Sequence, residues 1–292
     1  MSSPKIPFPL IHRGKVRNVY EVDNQTLLMV ATDRLSAFDV VLPDDIPEKG
    51  IMLTQISNFW FRKTDHIIAN HIIEWDGAHL VENEEAKQWL KGRSIVVKKL
   101  KTLPVEAIVR GYIIGSGWKD YCQNGAICGI TLPDGLQQAQ KLPEVIFTPS
   151  SKADVGDHDV NISFGEMQSK IGIELADQVK EVSVKLYSFA SQLAAKSGLM
   201  IADTKFEFGL DENNKLTLMD EILTPDSSRF WPEESYKAGI SPPSYDKQFV
   251  RDYLETLDWD KTDPGPKLPQ DIINKTGALY REAFEKLTTA RA

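Results

Sequence analysis

The sequence predicts an α+β fold, with a strand-rich amino-terminal lobe packed on a mixed carboxyl-terminal lobe. Short β-branched runs fill most of the first hundred residues, whereas a long apolar repeat at helical spacing dominates the second half. Two more amphipathic helices close the chain after a proline-rich spacer. The break at Leu103-Pro104 sets the expected division, with residues 1–104 in the first lobe and 105–292 in the second.

In chain order, VRNVYEV, TLLMVAT and SIVVKKL read as strands, the first two joined by the turn Asp23-Asn24-Gln25. One helix, about Leu53 to Arg62, lies between them. A further strand is expected from Glu106 to Ile114, stopping at Gly115-Ser116-Gly117. Gly135 to Asp159 is polar and broken by proline and glycine, so it reads as a long surface loop, of a length more often functional than idle. Ser163 and Glu166 make an S-x-x-E capping box that starts a helix. Leu175, Val179, Val182, Leu186, Phe189 and Leu193 then recur every three or four residues, up to a stop at Gly198. The strands Leu199–Phe208 and Leu216–Leu223 follow, turning through Asp211 to Lys215. The tail helices span about Asp246–Leu257 and Asp271–Leu287, separated by the rigid spacer Asp263 to Pro269.

The 292 residues, 41% hydrophobic and 26% charged, suffice for one large core or two lobes around a cleft. A net charge of −8 argues against non-specific binding to nucleic acid or an anionic membrane, so any phosphate site must be built from a few local cations. No run approaches the ~18 apolar residues that cross a bilayer, and the first residues show no signal-peptide pattern, so a cytoplasmic protein is expected. Cys122 and Cys128 match no zinc or redox spacing and read as reduced structural thiols.

The hairpin near residue 210 carries the clearest chemistry. Side chains alternate along a strand, so Asp203, Lys205 and Glu207 share one face while Phe206 and Phe208 take the other. With Glu212 to Lys215 as the loop, Asp211 faces Leu216 and Glu207 faces Asp220. Two carboxylates so placed repel unless a cation lies between them, and one or two carboxylates completed by substrate phosphates suit Mg²⁺. An exposed face on which Lys205 neutralises both acids fits equally. Gly14-Lys15-Val16-Arg17 sets two cations on one side of a strand beside a glycine that admits a close ligand, which suits a polyphosphate. It is neither a P-loop nor a dinucleotide fingerprint, and basic pairs on solvated strands are common.

Of Lys98 and Lys99, one should point inward from an apolar strand and need an anion, either a phosphate or a structural carboxylate. Arg110 and Arg229 sit among apolar and small hydroxyl residues. Each has the fork that grips a phosphate or carboxylate, or a structural acid such as Asp226. Lys152 to Asp159 gathers a cation, three acids and His158 with no zinc spacing or nucleophile motif, and by itself reads as a solvated loop.

Together these segments resemble the SAICAR synthetase family, from Arg13 to the last helix. The resemblance is carried by Gly14-Lys-Val-Arg-Asn-Val-Tyr20, Thr32-Asp-Arg-Leu-Ser-Ala-Phe-Asp39, Val97-Lys-Lys-Leu100 and Val109-Arg-Gly-Tyr-Ile-Ile-Gly-Ser116. It continues through Lys152 to Asp159, Ala202-Asp-Thr-Lys-Phe-Glu-Phe-Gly209 and Met219-Asp-Glu-Ile-Leu-Thr-Pro-Asp-Ser-Ser-Arg-Phe-Trp231, all in the family's order. The extended loop and longer tail are similar to the larger, fungal-type members. The Lys152 loop is one residue longer than in the short bacterial form, which leaves Asp157 and Asp159 without separate roles.

The resemblance implies a kinase-like first lobe that binds nucleotide and an ATP-grasp-like second lobe, the SAICAR synthase-like fold. It also implies an ATP- and Mg²⁺-dependent ligase of purine biosynthesis. Such enzymes join L-aspartate to the carboxylate of the imidazole ribonucleotide CAIR, giving SAICAR, ADP and phosphate through an acyl phosphate. On this sequence, Gly14, Lys15, Val16 and Arg17, with Lys98 and Lys99, would hold ATP. Glu207 and Asp220, with Asp159, would bind Mg²⁺. Asp39, Arg110, Ser116, Asp203, Lys205 and Arg229 would bind the ribonucleotide, and Lys205, Asp203 and Lys152 would act in catalysis. The partners expected are then small molecules, and a monomer suffices. A small-metabolite kinase and a catalytically dead nucleotide sensor are the rivals, and the intact Lys15, Lys205, Glu207 and Asp220 speak against the second.

Overall fold

A computed structural model describes residues 4–152, 160–245 and 247–288. Its helices are α1 (Lys49–Thr64), α2 (Glu84–Leu90), α3 (Gly115–Asn124), α4 (Phe164–Ile171), α5 (Ile173–Ala195), α6 (Gln248–Glu255) and α7 (Gln270–Thr288). They accompany two large antiparallel sheets and two short two-stranded ones, so the molecule is α+β as expected.

The first sheet has five strands in the spatial order Leu10–Arg13, Arg17–Glu21, Thr26–Ala31, Ser94–Lys98 and Ile72–Glu74. Alternation divides its side chains into two sets. Leu28, Val30 and Val96 pack with Ala86 and Leu90 of α2. The intervening Met29, Ile95 and Val97 form a smaller apolar cluster with Val19 and Leu27 on the opposite face. That second face becomes the wall of a cleft.

The second sheet has eight strands, centred on Leu199–Leu210. This strand pairs with Val105–Tyr112, Leu216–Met219, Ser228–Pro232 and Lys101–Thr102. Phe206 and Phe208 are buried against α5, as the alternation predicts. The buried line of α5 runs through Ala176, Val179, Ser183, Leu186, Tyr187, Ala190 and Ala194. The helix is thus turned so that small residues meet the sheet, while Leu175, Val182 and Leu193 are only partly buried. Close approach is also required at Gly111, where a Cβ would lie 2.1 Å from the Tyr187 hydroxyl. That hydroxyl donates to the Ile201 carbonyl at 2.6 Å.

The two sheets are joined in two ways. Residues 69–71 hydrogen-bond to Leu218 of the second sheet, through the His71 amide and the Ala69 carbonyl. Helix α1 sends Ile56, Trp60 and Phe61 into the core of the second sheet, while Met52 and Leu53 meet α6 and α7 at Val250, Leu254 and Tyr280.

Several boundaries differ from expectation. Helix α1 is longer than Leu53 to Arg62 at both ends. Gly115 does not stop the preceding strand at Ile114; the strand ends at Tyr112, and Gly115, at φ +61, opens α3. The stretch Gly135 to Asp159 is not one loop, because Lys141–Phe147 and Ser150–Ser151 are strands on Val105–Tyr112. Pro143 is tolerated there because the pairing bulges between Lys141 and Ile146. The capping box is present, with the Glu166 amide donating to Ser163 Oγ and the Ser163 amide to Glu166 Oε2. Among the described residues no helix is long and apolar enough to cross a membrane.

Candidate active site

A cleft of about 650 Å³ separates the two sheets. Val19, Leu27 and Met29 supply its apolar wall, and charged side chains line the rest. The Gly14 loop closes tightly, with the Gly14 amide donating to the Arg17 carbonyl at 2.8 Å. Arg34 pins the loop from behind, donating to the Gly14 and Lys15 carbonyls at 2.9 and 3.0 Å. Lys15 leaves the loop to meet Asp39. Asp39 is presented by a two-residue hairpin turn in which Phe38 and Asp39 both have positive φ, 52° and 65°, the signature of a type I′ turn. Arg17 opens its strand and grips two acids, Asp220 at 2.6 Å and Glu221 at 2.8 Å.

The hairpin register differs by one from expectation. Leu210 faces Leu216, and Glu207 faces Met219 rather than Asp220. The cause is Asp211, which joins the turn by accepting the Asn213 and Lys215 amides at 2.9 and 2.8 Å. Strict alternation would then send Asp220 to the other face. It does not, because the strand ends at Met219 and Asp220 takes a left-handed φ of 67°. Glu207 and Asp220 therefore line the same cleft by a route that pairing alone would not reach.

Both oxygens of Glu207 are occupied, one by Lys205 at 2.7 Å and the other by Lys152. Lys205 also bridges to Glu106 at 2.6 Å, so its ion pairs are with Glu207 and Glu106. Burial alone would raise the Glu207 carboxyl, but Lys205 and Lys152 outweigh it and hold the group at about 2. Asp220 goes the other way. Burial, against the pull of Arg17 and with Glu207 and Glu221 nearby, pushes its carboxyl up to about 6. A site where acids crowd each other in this way suits an added cation. Among the described residues no three His, Cys, Asp or Glu side chains gather as a metal cage. Asp157 and Asp159 lie outside the described residues.

A second charged group lies deeper. Arg110, 2% exposed, donates to Asp203 at 2.9 Å, to Thr148 at 2.9 Å and to Ser116 at 3.1 Å. Arg229 approaches the same Asp203 oxygen from the other side. One carboxylate between two guanidiniums leaves surplus positive charge toward an anion. Gly115 is required here, since a Cβ would lie 2.5 Å from Arg229 Nη2. The structural acid suggested for Arg229, Asp226, is engaged elsewhere. It accepts from Lys49 at 2.7 Å and Tyr280 at 2.6 Å, with Lys247 at 3.2 Å.

Residues 10–266 match the profile of SAICAR synthetases. A phosphoribosylaminoimidazole-succinocarboxamide synthase from Azoarcus sp. is 58% identical over 96% of this chain and 94% of its own length. The chain belongs to the SAICAR synthetase family. The ligase class and the family fold expected from the motifs therefore hold. The SAICAR synthase of Saccharomyces cerevisiae, solved with SAICAR, superposes with a TM-score of 0.89 at 47% identity, covering 100% of this chain and 99% of that one. A type-2 SAICAR synthetase solved with ADP gives a TM-score of 0.70 at 26% identity over 96% and 98%.

Within this SAICAR synthetase cleft, Gly14, Lys15, Val16, Arg17, Asp39, Lys152, Lys205, Glu207 and Asp220 stand together. Arg110, Ser116, Asp203 and Arg229 form the adjoining group. Lys98 and Lys99 need correction. Both are exposed, since the buried run of their strand ends at Val97, and Lys99 pairs with Glu21 at 2.7 Å. Sequence reasoning missed Glu106, Glu221, Lys49, Lys247 and Arg251. A basic pair at i and i+4, Lys247 and Arg251, was the one available signal.

Proposed function

We propose that the chain joins L-aspartate to the carboxylate of CAIR with ATP as the energy source, through an acyl phosphate on the CAIR carboxylate. What supports this reading is the meeting, in one cleft, of a cationic loop, a crowded carboxylate pair and a twin-arginine anion site. Residues 1–104 contribute the nucleotide side and 105–292 the substrate side. The Gly14 to Arg17 loop receives the ATP phosphates. Arg110, Ser116 and Arg229 take the phosphate of the ribonucleotide, and Asp203 holds both guanidiniums in place. Asp39 releases Lys15 when a polyphosphate arrives. Glu207 and Asp220, with Asp159 a further candidate, would hold Mg²⁺, which would supply positive charge beside the transferring phosphoryl group.

A carboxylate is a poor electrophile, and transfer of the γ-phosphoryl group onto one of its oxygens gives it a leaving group. The ATP bond to the γ-phosphorus breaks and ADP departs. The amine of aspartate then attacks the carbonyl carbon, the carbon–oxygen bond to phosphate breaks, and the amine gives up a proton. Lys205 and Lys152, anchored on Glu207, face the negative charge that builds in both steps.

ADP release should require CAIR, L-aspartate and Mg²⁺ together. CAIR carrying ¹⁸O in its carboxylate should deliver one labelled oxygen into inorganic phosphate. Brisk ADP release without aspartate would indicate a kinase instead, and AMP as product would exclude the acyl phosphate. Arg229→Lys keeps the charge but loses the fork, so the KM for CAIR should rise roughly tenfold to a hundredfold while that for ATP stays near its original value. Initial rates with each substrate varied in turn decide this, and a rise confined to ATP would move Arg229 to the nucleotide side.

A further inference from the structure

Asp220 reaches the cleft through a left-handed bend, and no glycine supplies it. Asp220 has a φ of 67° and Leu223 one of 53°, so two residues with side chains adopt a conformation that favours glycine. Such a bend persists where its surroundings hold it. Ile222 and Leu223 are fully buried and belong to the same apolar cluster as Ile56, Trp60 and Phe61 of α1. Apolar burial is non-directional, so it keeps the segment inside without fixing the direction of its peptide groups.

Direction comes from two polar residues that no role above uses. Ile222, between the two left-handed residues, donates its amide to Ser57 Oγ at 3.2 Å. Ser57 is buried in the middle of α1, one turn before Phe61. The ring of Phe61 lies 5.6 Å from that of His71. His71 is 1% exposed, and its ring is hydrogen-bonded to the Asp220 backbone. Its own amide donates to the Leu218 carbonyl at 3.0 Å, on the strand that leads into the bend. The bend is thus gripped at its start by His71 and at its end by Ser57. Neither residue lines the main cleft. Ser57 instead lines a cavity of about 30 Å³ behind it, with Arg17, Asp220 and Glu221.

We propose that Ser57, braced by His71, is a positioning residue for catalysis, whose hydroxyl oxygen fixes the bend that presents Asp220 beside Glu207. This role rests on the reading of those two acids as the Mg²⁺ site. Without the oxygen, the Ile222 amide is buried with no acceptor. The backbone then turns to recover one, and the Asp220 carboxylate moves with it. Helix α1 sends no side chain into the cleft at this point, yet it sets the geometry of one that lies there.

The test compares Ser57→Ala, Ser57→Cys and Ser57→Thr in the full-length chain. Alanine removes the acceptor, and cysteine keeps the volume with only a weak acceptor. Threonine keeps the hydroxyl, and the cavity leaves room for its methyl group. Mn²⁺ affinity with ADP present, measured by electron paramagnetic resonance, should fall roughly tenfold for alanine and cysteine and stay within about twofold for threonine. In the metal-free chain, amide exchange of residues 219–224 should quicken for the first two variants and not for threonine. Steady-state kinetics should show a lower kcat for the same two, with KM for CAIR and L-aspartate changed by no more than about twofold. A merely structural serine would lower stability in urea and leave Mn²⁺ affinity unchanged, and that result overturns the proposal. So does a threonine variant that folds yet binds Mn²⁺ as weakly as alanine. Cysteine decides the matter if alanine is unstable. Failure of the metal reading is seen separately, as an Asp220→Asn variant that binds Mn²⁺ as tightly as the unmodified chain. Amide exchange then still decides whether Ser57 holds the bend.

Discussion

Changing Glu207 to glutamine or Asp220 to asparagine should lower kcat at least ~100-fold while leaving the chain folded. Each amide keeps the shape of the acid and removes its charge. The fold should survive because the cations they hold have other partners. Lys205 keeps Glu106, and Arg17 keeps Glu221. Lys152, 27% exposed, can turn toward water. Asp220→Asn also removes one member of a cluster that burial and two neighbouring acids already disfavour as an anion. Its unfolding free energy at pH 7 should therefore match or exceed that of the unmodified chain. Rates titrated against Mg²⁺, with urea unfolding of the same preparations, test both halves. Near-original rates at low Mg²⁺ would make the pair structural.

That pair was legible in the sequence for a reason only partly right. Alternation correctly put Asp203, Lys205 and Glu207 on one face and the two phenylalanines on the other, because period-2 geometry is local. The register was not local. It turned on whether Asp211 belonged to the strand or to the turn, and two side-chain hydrogen bonds settled that. A one-residue slip normally moves a whole side-chain set to the other face. Here a left-handed Asp220 restored the juxtaposition, and nothing in the residues around it announces that conformation. The lysine pair at 98 and 99 failed differently. The strand was read through Leu100, three residues past its last buried residue, Val97, so an exposed end looked like an inward cation.

Gly115-Ser116-Gly117 was read as a stop because glycines break strands. The same residues start α3 and leave room for Arg229 and Arg110, whose side chains lie within 3.2 Å of a Cβ placed on Gly115 or Gly117. The approach of Gly115 to Arg229 joins residues more than a hundred positions apart and has no signature along the chain. The cluster around Asp226 shows this most sharply. Lys49 comes from α1, Lys247 from the start of α6 and Tyr280 from α7, and they converge on one carboxylate.

Removing that carboxylate should be the most destabilising single change in the cleft. Lys49 is 0% exposed and lies 5.5 Å from the centre of the Tyr280 ring. Asp226→Asn leaves this ammonium buried without a counter-charge, a loss of about 3–5 kcal/mol. The pH dependence follows from the two groups. Burial would raise the Asp226 carboxyl, but Lys247 and Lys49 hold it below its usual range. It therefore stabilises the fold above about pH 4 and loses that effect as pH falls through its folded-state value. The variant lacks this acid limb. Lys49 is already lowered by burial, with Asp226 supporting its charge and Lys247 opposing it. Without Asp226 it falls further, so the variant should regain stability as pH rises toward the ordinary lysine range, where the unmodified chain gains less. Adding Lys49→Met removes the stranded charge and should restore most of the loss at pH 7, because a buried ion pair replaced by apolar groups is often close to neutral. Urea unfolding at pH 7 and pH 9 measures all three. A loss below about 1 kcal/mol for Asp226→Asn at pH 7, outside the range for an unpaired buried charge, would mean that Lys49 is neutral in the folded chain. The helices α1, α6 and α7 would then be held to the cleft by packing rather than by charge.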